Sequence, residues 1–383
     1  MSELEFDDIR PYSDKETREA IPRIISDSSF HKMMDYLFTP DKKEEVISNF
    51  RDATNINEFQ RALTLEAVLA IIDKTTKGIT HSGFETCNTK INHVFLGNHR
   101  DIVFDSSILG LVNLMLGFKT PQSVWGSNLM ISPLIVDLGK SNQMITVFRE
   151  GSPKELLLNS QRLSAYIRKS ITELNKSVWI AHRKGRAKDG FDKTDISILK
   201  MLSLSGSSDI KSRLIELNII PTVISYEWEP CDSMKVKEIY LSLDSKYVKS
   251  NDEDFNSIIG GLTGEKGRIH LSLGEPLNDE IMKIDNDNIN NNEFIVMVAK
   301  LVDDQIYKNY KMWPSNYLAY DLLNNSSKFS GNYYEETRDI LEKRYTYTTK
   351  LCNFDNENIR NIFLLLYANP LINKLKSESQ INM

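Results

Sequence analysis

The stretch INHVFLGNHRDIVFD, residues 91–105, joins a short apolar run to a polar loop and to the start of a second apolar segment. The run at 91–97 ends on a glycine, which is typical of a buried β-strand. Residues 102–116 predict a helix that stops at Gly117. A buried strand, a loop and a helix in this order indicate an α/β sheet, in which functional residues gather beyond the carboxyl ends of strands.

The same alternation continues along the chain. Further strands are predicted at residues 132–139, 144–150, 177–182, 218–230 and 267–277, and helices at 152–174 and 196–206. Residues 15–77 and the chain from Ile295 onward have helical patterns. We therefore predict an α/β fold with a central mixed sheet flanked by helices, in three parts. These are a helical N-terminal segment at 1–80, the sheet domain at 81–280 and a mostly helical C-terminal region at 281–383.

Bulk composition excludes several classes of protein. The 383 residues carry a net charge of -6, which argues against non-specific binding of nucleic acid. Cys87, Cys231 and Cys352 are far apart, so we expect reduced thiols and neither a disulfide framework nor a zinc site. The N-terminal residues are acidic and polar, and no stretch reaches the roughly 18 apolar residues of a membrane span. We expect a cytoplasmic protein that is able to touch a membrane surface.

The loop NHRDIVFD, residues 98–105, contains the strongest candidate for chemistry. A histidine such as His99 accepts a proton at neutral pH, and a carboxylate on its other nitrogen orients the ring and supports the cation that forms. Such pairs activate alcohols in acyl-transfer reactions. A surface loop in which Asp101 caps the next helix explains the same letters, and the loop alone does not decide between the two.

The letters His99-Arg100-Asp101 also occur in protein-kinase catalytic loops. Phosphoryl transfer needs in addition a glycine-rich loop over the phosphates, a lysine on a strand and an asparagine soon after the aspartate. No GxGxxG precedes residue 98, the N-terminal segment predicts helices, and residues 102–107 contain no asparagine. The kinase interpretation therefore fails on the rest of the chain.

Two later loops carry basic side chains suited to a phosphate. Arg149 ends the strand predicted at 144–150. The segment that follows the strand at 177–182 places four cations around Gly185, namely Arg183, Lys184, Arg186 and Lys188. Glycine lets the backbone approach an anion, and guanidinium groups bind phosphate in a bidentate manner. A solvated basic turn has the same composition, but the position directly after a buried strand favours a phosphate site.

Four blocks stand in a recognisable order: NHRDIVFD (98–105), VFR (147–149), RKGRAKDG (183–190) and IIPTVISYE (219–227). They resemble the blocks of the glycerol-3-phosphate and 1-acylglycerol-3-phosphate (lysophosphatidate) acyltransferases, in particular a bacterial branch with an NHRDIV-type catalytic block. The resemblance covers about residues 91–232, and four blocks in order are more specific than one. It implies a glycerophosphate acyltransferase-like fold.

The resemblance also implies roles for individual residues. His99 matches the histidine that accepts the proton of the acceptor hydroxyl, and Asp105 matches its partner. The residues expected to hold the substrate phosphate are Arg149, Gly185, Arg186 and Lys188. Further candidates for lining the site are Asn98, Arg100, His182, Lys184 and Pro221, the last of which matches a proline in the wall of the acyl channel.

The chain departs from the family pattern at two places. The family has four residues between the histidine and the aspartate, whereas five separate His99 from Asp105. Asp105 is favoured as the partner, with Asp101 as the runner-up because it suits a helix N-cap. The third block normally has a glutamate before its glycine, and Lys184 stands there instead.

The implied reaction transfers a fatty acyl group from acyl-CoA or acyl carrier protein to a hydroxyl of a glycerol-phosphate or lysophospholipid acceptor, at the inner membrane surface. It needs no metal and no further cofactor, because the thioester is already activated. The alternative is a non-catalytic lipid- or phosphate-binding protein on the same scaffold. Trp125, Met130 and Trp228 are candidates for sheltering an acyl chain, although such residues usually belong to a core.

Overall fold

A single mixed sheet forms the centre of the protein in a computed structural model that describes residues 6–206, 209–243, 247, 252–285, 288–353 and 356–381. The strands of the described residues are β1 (Thr76–Ser82), β2 (Val94–Gly97), β3 (Gln122–Gly126), β4 (Met144–Val147), β5 (Val178–Ala181), β6 (Ile220–Tyr226) and β7 (Gly267–Leu273). They lie in the order β1-β7-β6-β2-β5-β3-β4.

Helices precede, connect and follow the strands. They are α1 (Asp14–Ser26), α2 (Ser28–Leu37), α3 (Pro40–Arg51), α4 (Ile56–Phe59), α5 (Glu66–Thr75), α6 (Phe104–Met115), α7 (Pro133–Ser141), α8 (Pro153–Thr172), α9 (Ile196–Leu202), α10 (Ile210–Ile215), α11 (Asp232–Leu241), α12 (Glu253–Thr263), α13 (Asn278–Lys283), α14 (Asn291–Asn309), α15 (Pro314–Leu323), α16 (Glu335–Cys352) and α17 (Glu357–Ile381). A π-helical stretch, Gln60–Leu65, joins α4 to α5.

Strand direction brings the predicted loops to one edge of the sheet. Strands β2 to β6 run parallel to one another, while β6 and β7 are antiparallel and β1 follows the direction of β7. The predicted α/β fold with a mixed sheet and flanking helices is therefore confirmed. Because parallel strands end at the same edge, the segments after β2, β4 and β5 all emerge at that edge, with β2 and β5 adjacent and β3 between β5 and β4.

The two faces of the sheet are buried under different helices. Along β2, Val94 and Leu96 join a core built with α8, α9 and α14, whereas Phe95 joins a core built with α5 and α6. This alternation follows from the two-residue period of a strand. Residue 97 and, beyond the strand, residue 99 have the parity of Phe95, so the loop after β2 begins on the side of α6.

Two further cores lie outside the sheet. Helices α1 to α3 pack with α7, and α11 packs with α15, α16 and α17 around Trp228. Helix α14 packs on the sheet itself. In the described part of the chain, no helix combines the length and apolar character that a bilayer span requires. The predicted division into three parts at residues 80 and 280 stays a prediction.

The prediction of a strand at 132–139 is wrong. Ser132 caps α7 by accepting a hydrogen bond from the Ile135 N–H, and proline follows at the first helical position. Leu134 is buried among the N-terminal helices, with Leu138 packed against the same core, so the apolar run is one face of a helix. Two strands were also missed: β3, and β1 at the end of a segment that predicted helices.

Candidate active site

His99 and Asp105 form a hydrogen-bonded pair beyond the carboxyl end of β2. His99 Nδ1 lies 2.9 Å from Asp105 Oδ2. Asp101, the runner-up, instead accepts hydrogen bonds at Oδ1 from the backbone N–H groups of Val103 and Phe104, at 2.9 and 2.8 Å. Asp101 therefore caps α6, and Asp105 is the carboxylate that orients the imidazole.

The loop wraps around the Asp105 carboxylate, which accommodates the additional residue. Asp105 Oδ2 also accepts from the backbone N–H groups of Arg100 at 2.7 Å and Asp101 at 3.0 Å. Asp105 Oδ1 accepts from the hydroxyl of Tyr226 on β6 at 2.8 Å. In the first turn of α6 the side chain points back over the loop, so five intervening residues still allow contact with His99.

The other ring nitrogen of His99 is available. Among the described residues Nε2 has no hydrogen-bond partner, and the side chain is 15% exposed. The ring stands edge-on to Trp179, with centroids 5.7 Å apart. With the proton of the ring assigned to Nδ1, next to the carboxylate, Nε2 presents a lone pair to solvent. This arrangement is that of a general base.

Arg100 is buried below the loop, so the expectation that it lines the site is corrected. Its guanidinium donates to Asp192 at 2.5 Å and to Glu229 at 3.2 Å. Lys235 donates to Glu229 and, at 2.7 Å, to the backbone carbonyl of Arg100. Four buried charges thus pair with one another, as burial requires, and they hold the loop in place.

Asn98 and His182 were expected to line the site, but both side chains are buried, so this expectation is corrected. Asn98 joins β2 to β6 by accepting from the Ile224 N–H at 2.8 Å and donating to the Ile224 carbonyl at 3.0 Å. Burial, followed by the charge of Arg183, lowers the pKa of His182 to about 3. His182 is therefore neutral, and its Nδ1 lies 3.3 Å from the Thr194 hydroxyl.

The loop after β5, residues 183–190, contains the four predicted cations, of which some are available to bind an anion and others already have partners. Gly185 has a φ of +73° and open space where a Cβ would lie, and Lys184 beside it is exposed without a described partner. Arg186 is 8% exposed, and its Nη1 has no hydrogen-bond partner in the part of the chain that the structure describes. Lys188 forms an ion pair with Glu238 on α11, so it is not a free phosphate ligand.

An open cavity of about 340 Å³ lies against this loop. It is lined by Arg183, Lys184, Asp189, Phe191, Lys193 and Asp195. Arg183 donates to the Phe191 carbonyl at 2.9 Å and stands 3.7 Å from Asp189. Lys184 and Lys193 are exposed and form no ion pair with the described residues, so they are the cations of this cavity that are available to bind an anion.

Arg149 lies over the end of β3. It is exposed and has no described hydrogen-bond partner, and a Cβ built on Gly126 would stand 3.5 Å from its guanidinium carbon. Two strand spacings, roughly 10 Å, separate β3 from β2. Pro221 is buried within β6 next to Leu96, and its expected place in the wall of an acyl channel stays a prediction.

Comparisons with known proteins find similarity among solved structures. No family model matches the sequence, and no curated protein matches it. Among solved structures, the 1-acyl-sn-glycerophosphate (LPA) acyltransferase PlsC from Thermotoga maritima is similar with a TM-score of 0.32 and 13% identity, over 75% of this chain and 94% of that chain. Because both values are low, this similarity assigns neither a family nor an activity to the chain.

Sequence reasoning missed the residues that hold the pair from a distance, which are Tyr226, Asp192, Glu229 and Lys235. A signal for Tyr226 exists, because it shares the strand face of Ile224 and therefore points toward α6. The three buried charges have no local signal, since charged residues usually lie on the surface. Within the described residues, no cluster of three or more His, Cys, Asp or Glu side chains is arranged to hold a metal ion.

Proposed function

We propose that the protein is a glycerophospholipid O-acyltransferase, which moves a fatty acyl group from an acyl thioester to a hydroxyl of a glycerol-phosphate acceptor. The observation that carries the proposal is the His99–Asp105 pair, with Nε2 open and Arg149 and the Gly185 turn emerging from the same edge of the sheet. The order of the four sequence blocks supports the same reaction.

The reaction needs a base that takes up one proton and a bound molecule whose hydroxyl receives the acyl group. His99 Nε2 takes the proton of the acceptor hydroxyl while that oxygen attacks the thioester carbonyl carbon. The tetrahedral intermediate then collapses, the carbon–sulfur bond breaks, and the imidazolium returns the proton to the departing thiolate. Asp105 accepts the hydrogen bond from the Nδ1–H throughout and stabilises the imidazolium, as a carboxylate does in other histidine bases.

We propose that the phosphate of the acceptor binds Arg149, Lys184 and the backbone at Gly185. These groups are exposed and unpaired among the described residues, and an anion between them would lie within the roughly 10 Å that separate β2 from β3. Arg186 supports the loop from inside, and Lys188 remains with Glu238. Holding the phosphate orients the hydroxyl toward His99, which supplies much of the rate.

A small apolar cluster beside the pair suits the acyl chain. Ile102, Trp125 and Ile258 are buried together, and Met130 packs against them. Among the described residues, the indole N–H of Trp125 has no hydrogen-bond partner, which leaves it able to donate to a polar group of a bound substrate. We place the donor thioester here, with acyl-CoA or acyl carrier protein as co-substrate and the inner membrane surface as the source of the acceptor.

Thiol release from palmitoyl-CoA, or from palmitoyl carrier protein, tests the proposal. We expect release only with a glycerol-phosphate acceptor, tested as glycerol 3-phosphate and lysophosphatidate. His99→Ala should lower kcat about a thousandfold, because general-base catalysis is lost. His81→Ala, on an exposed histidine of β1, is the matched control. Equal turnover by His99→Ala would contradict the mechanism, and lysophosphatidate binding without any turnover would favour the non-catalytic alternative.

A further inference from the structure

We infer that Tyr226 is a positioning residue, whose hydroxyl fixes the rotation of the Asp105 carboxylate and thereby the orientation of His99. The consequence for rate rests on the proposed function. The effect on the His99 imidazole is independent of the proposed function, and nuclear magnetic resonance measures it without substrate.

The two oxygens of Asp105 have different partners. Oδ2 accepts from His99 Nδ1 and from the backbone N–H groups of Arg100 and Asp101. Among the described residues, Tyr226 is the donor to Oδ1, at 2.8 Å. Rotation of the carboxylate would place a different oxygen, at a different angle, against the imidazole. The Tyr226 hydroxyl opposes that rotation, because Asp105 is only 2% exposed and rotation would cost Oδ1 its buried hydrogen bond.

The sheet explains how a residue of β6 reaches this carboxylate. Thr222 pairs with Gly97 at the end of β2, and β6 continues for four more residues, roughly 13 Å at the rise of a strand. Asn98 bridges to Ile224 over this extension. Tyr226 therefore stands above the end of β2, with its ring in the core that also contains Phe104 of α6.

The hydroxyl of Tyr226 keeps its proton. Burial, followed by the adjacent Asp105 carboxylate, raises the pKa of Tyr226 well above its usual value, so the hydroxyl is protonated and donates at neutral pH. The other ionisable groups that interact electrostatically with the pair or with Tyr226 are Asp101, His182, Glu229 and Tyr310. None of them donates to Oδ1, and all are unchanged by a substitution of Tyr226.

Tyr226→Phe removes the hydroxyl and keeps the ring. With palmitoyl-CoA and lysophosphatidate, we expect kcat to fall about tenfold, the typical effect of losing one bond to a charged group. KM should stay the same, since Tyr226 touches no substrate. The acidic limb of the kcat/KM profile should move to higher pH, because Asp105 then presents more negative charge to the imidazole.

Tyr166→Phe is the matched control. Tyr166 is also buried, on α8, and its hydroxyl accepts a hydrogen bond from Gln122 at 3.3 Å, near the opposite end of the strands. Both variants lose one buried hydroxyl. A purely structural role for Tyr226 predicts the same loss of stability in both and no change in the pH profile of either.

Nuclear magnetic resonance of the His99 imidazole, assigned with His99→Gln, tests the inference without any substrate. The titration midpoint of His99 should rise in Tyr226→Phe and stay in place in Tyr166→Phe. If Tyr226→Phe does not fold, 3-fluorotyrosine at position 226 keeps the bond, makes the hydroxyl a stronger donor and should lower the midpoint. An unchanged midpoint in the folded variants would overturn the inference. Absence of turnover in the wild type would overturn the proposed function alone.

Discussion

Gly97, the last residue of β2, lies directly against the indole of Trp179 on β5. A Cβ at position 97 would stand 2.6 Å from Trp179 Nε1, closer than any side-chain carbon normally approaches. Trp179 is buried and its ring contacts the ring of His99. The absence of a side chain at residue 97 therefore sets the position of the tryptophan, and through it one wall of the His99 site.

We predict that Gly97→Ala displaces Trp179 and the His99 loop. Overpacking of this kind costs about 1–3 kcal/mol in the free energy of unfolding, which chemical denaturation measures. Thiol release should fall further than stability explains, because His99 follows two residues later. Gly110→Ala is the control, since a Cβ there would meet its nearest neighbour at 4.0 Å. Equal behaviour of the two variants would contradict the packing explanation.

Substitutions of Asp105 and Asp101, the two carboxylates of the loop after β2, should have very different effects on kcat. Asp105→Asn places an amide against His99 Nδ1 and disfavours the tautomer that the base needs, so kcat should fall by roughly a thousandfold or more. Asp101→Asn keeps the oxygen that caps α6 and should leave kcat within a few-fold of wild type. Steady-state kinetics at saturating acceptor decide the point, and a larger loss in Asp101→Asn would reverse the assignment.

Substitutions of Arg149 and Lys188 should have different effects on KM for the phosphate-bearing acceptor. Arg149→Ala should raise KM for lysophosphatidate about tenfold, because an exposed guanidinium without a described partner is lost. Lys188→Ala should change KM little, since that ammonium is already paired with Glu238. Measuring KM with phosphate-bearing and phosphate-free acceptors isolates the charge. The same KM increase in both variants would argue for a diffuse basic surface.

His182 should make stability depend on pH. Because burial lowers the pKa of His182 to about 3 in the folded protein, while the unfolded value is near 6.5, the unfolded chain binds an extra proton between these values. The stability present above pH 6.5 is therefore lost as pH falls toward 3, by up to about 1.4 kcal/mol per pH unit. His182→Gln should have a shallower slope in urea unfolding from pH 6.5 to 4, whereas equal slopes would show that His182 charges freely.

Part of the site was accessible from the sequence because it depends on neighbours along the chain. The run at 91–97, its terminal glycine and the following helix predicted a strand, loop and helix with His99 between them, and the structure has that order. The apolar run at 132–139 was misread because a short apolar segment fits a strand and one helix face equally well. Capping by Ser132 decided for the helix.

What the sequence by itself determined is the local unit: a histidine in a polar loop after a buried strand, with carboxylates and basic turns at comparable positions. Tertiary structure decided which groups meet. Asp101 and Asp105 are four residues apart, yet Asp101 accepts from backbone N–H groups at the start of α6, whereas Asp105 meets His99 and Tyr226. Tyr226 anchors Asp105 and Glu229 anchors Arg100, and each is more than 120 residues away from the residue that it anchors. Only the order of strands in the sheet brings them together, and no pattern of adjacent residues records that order.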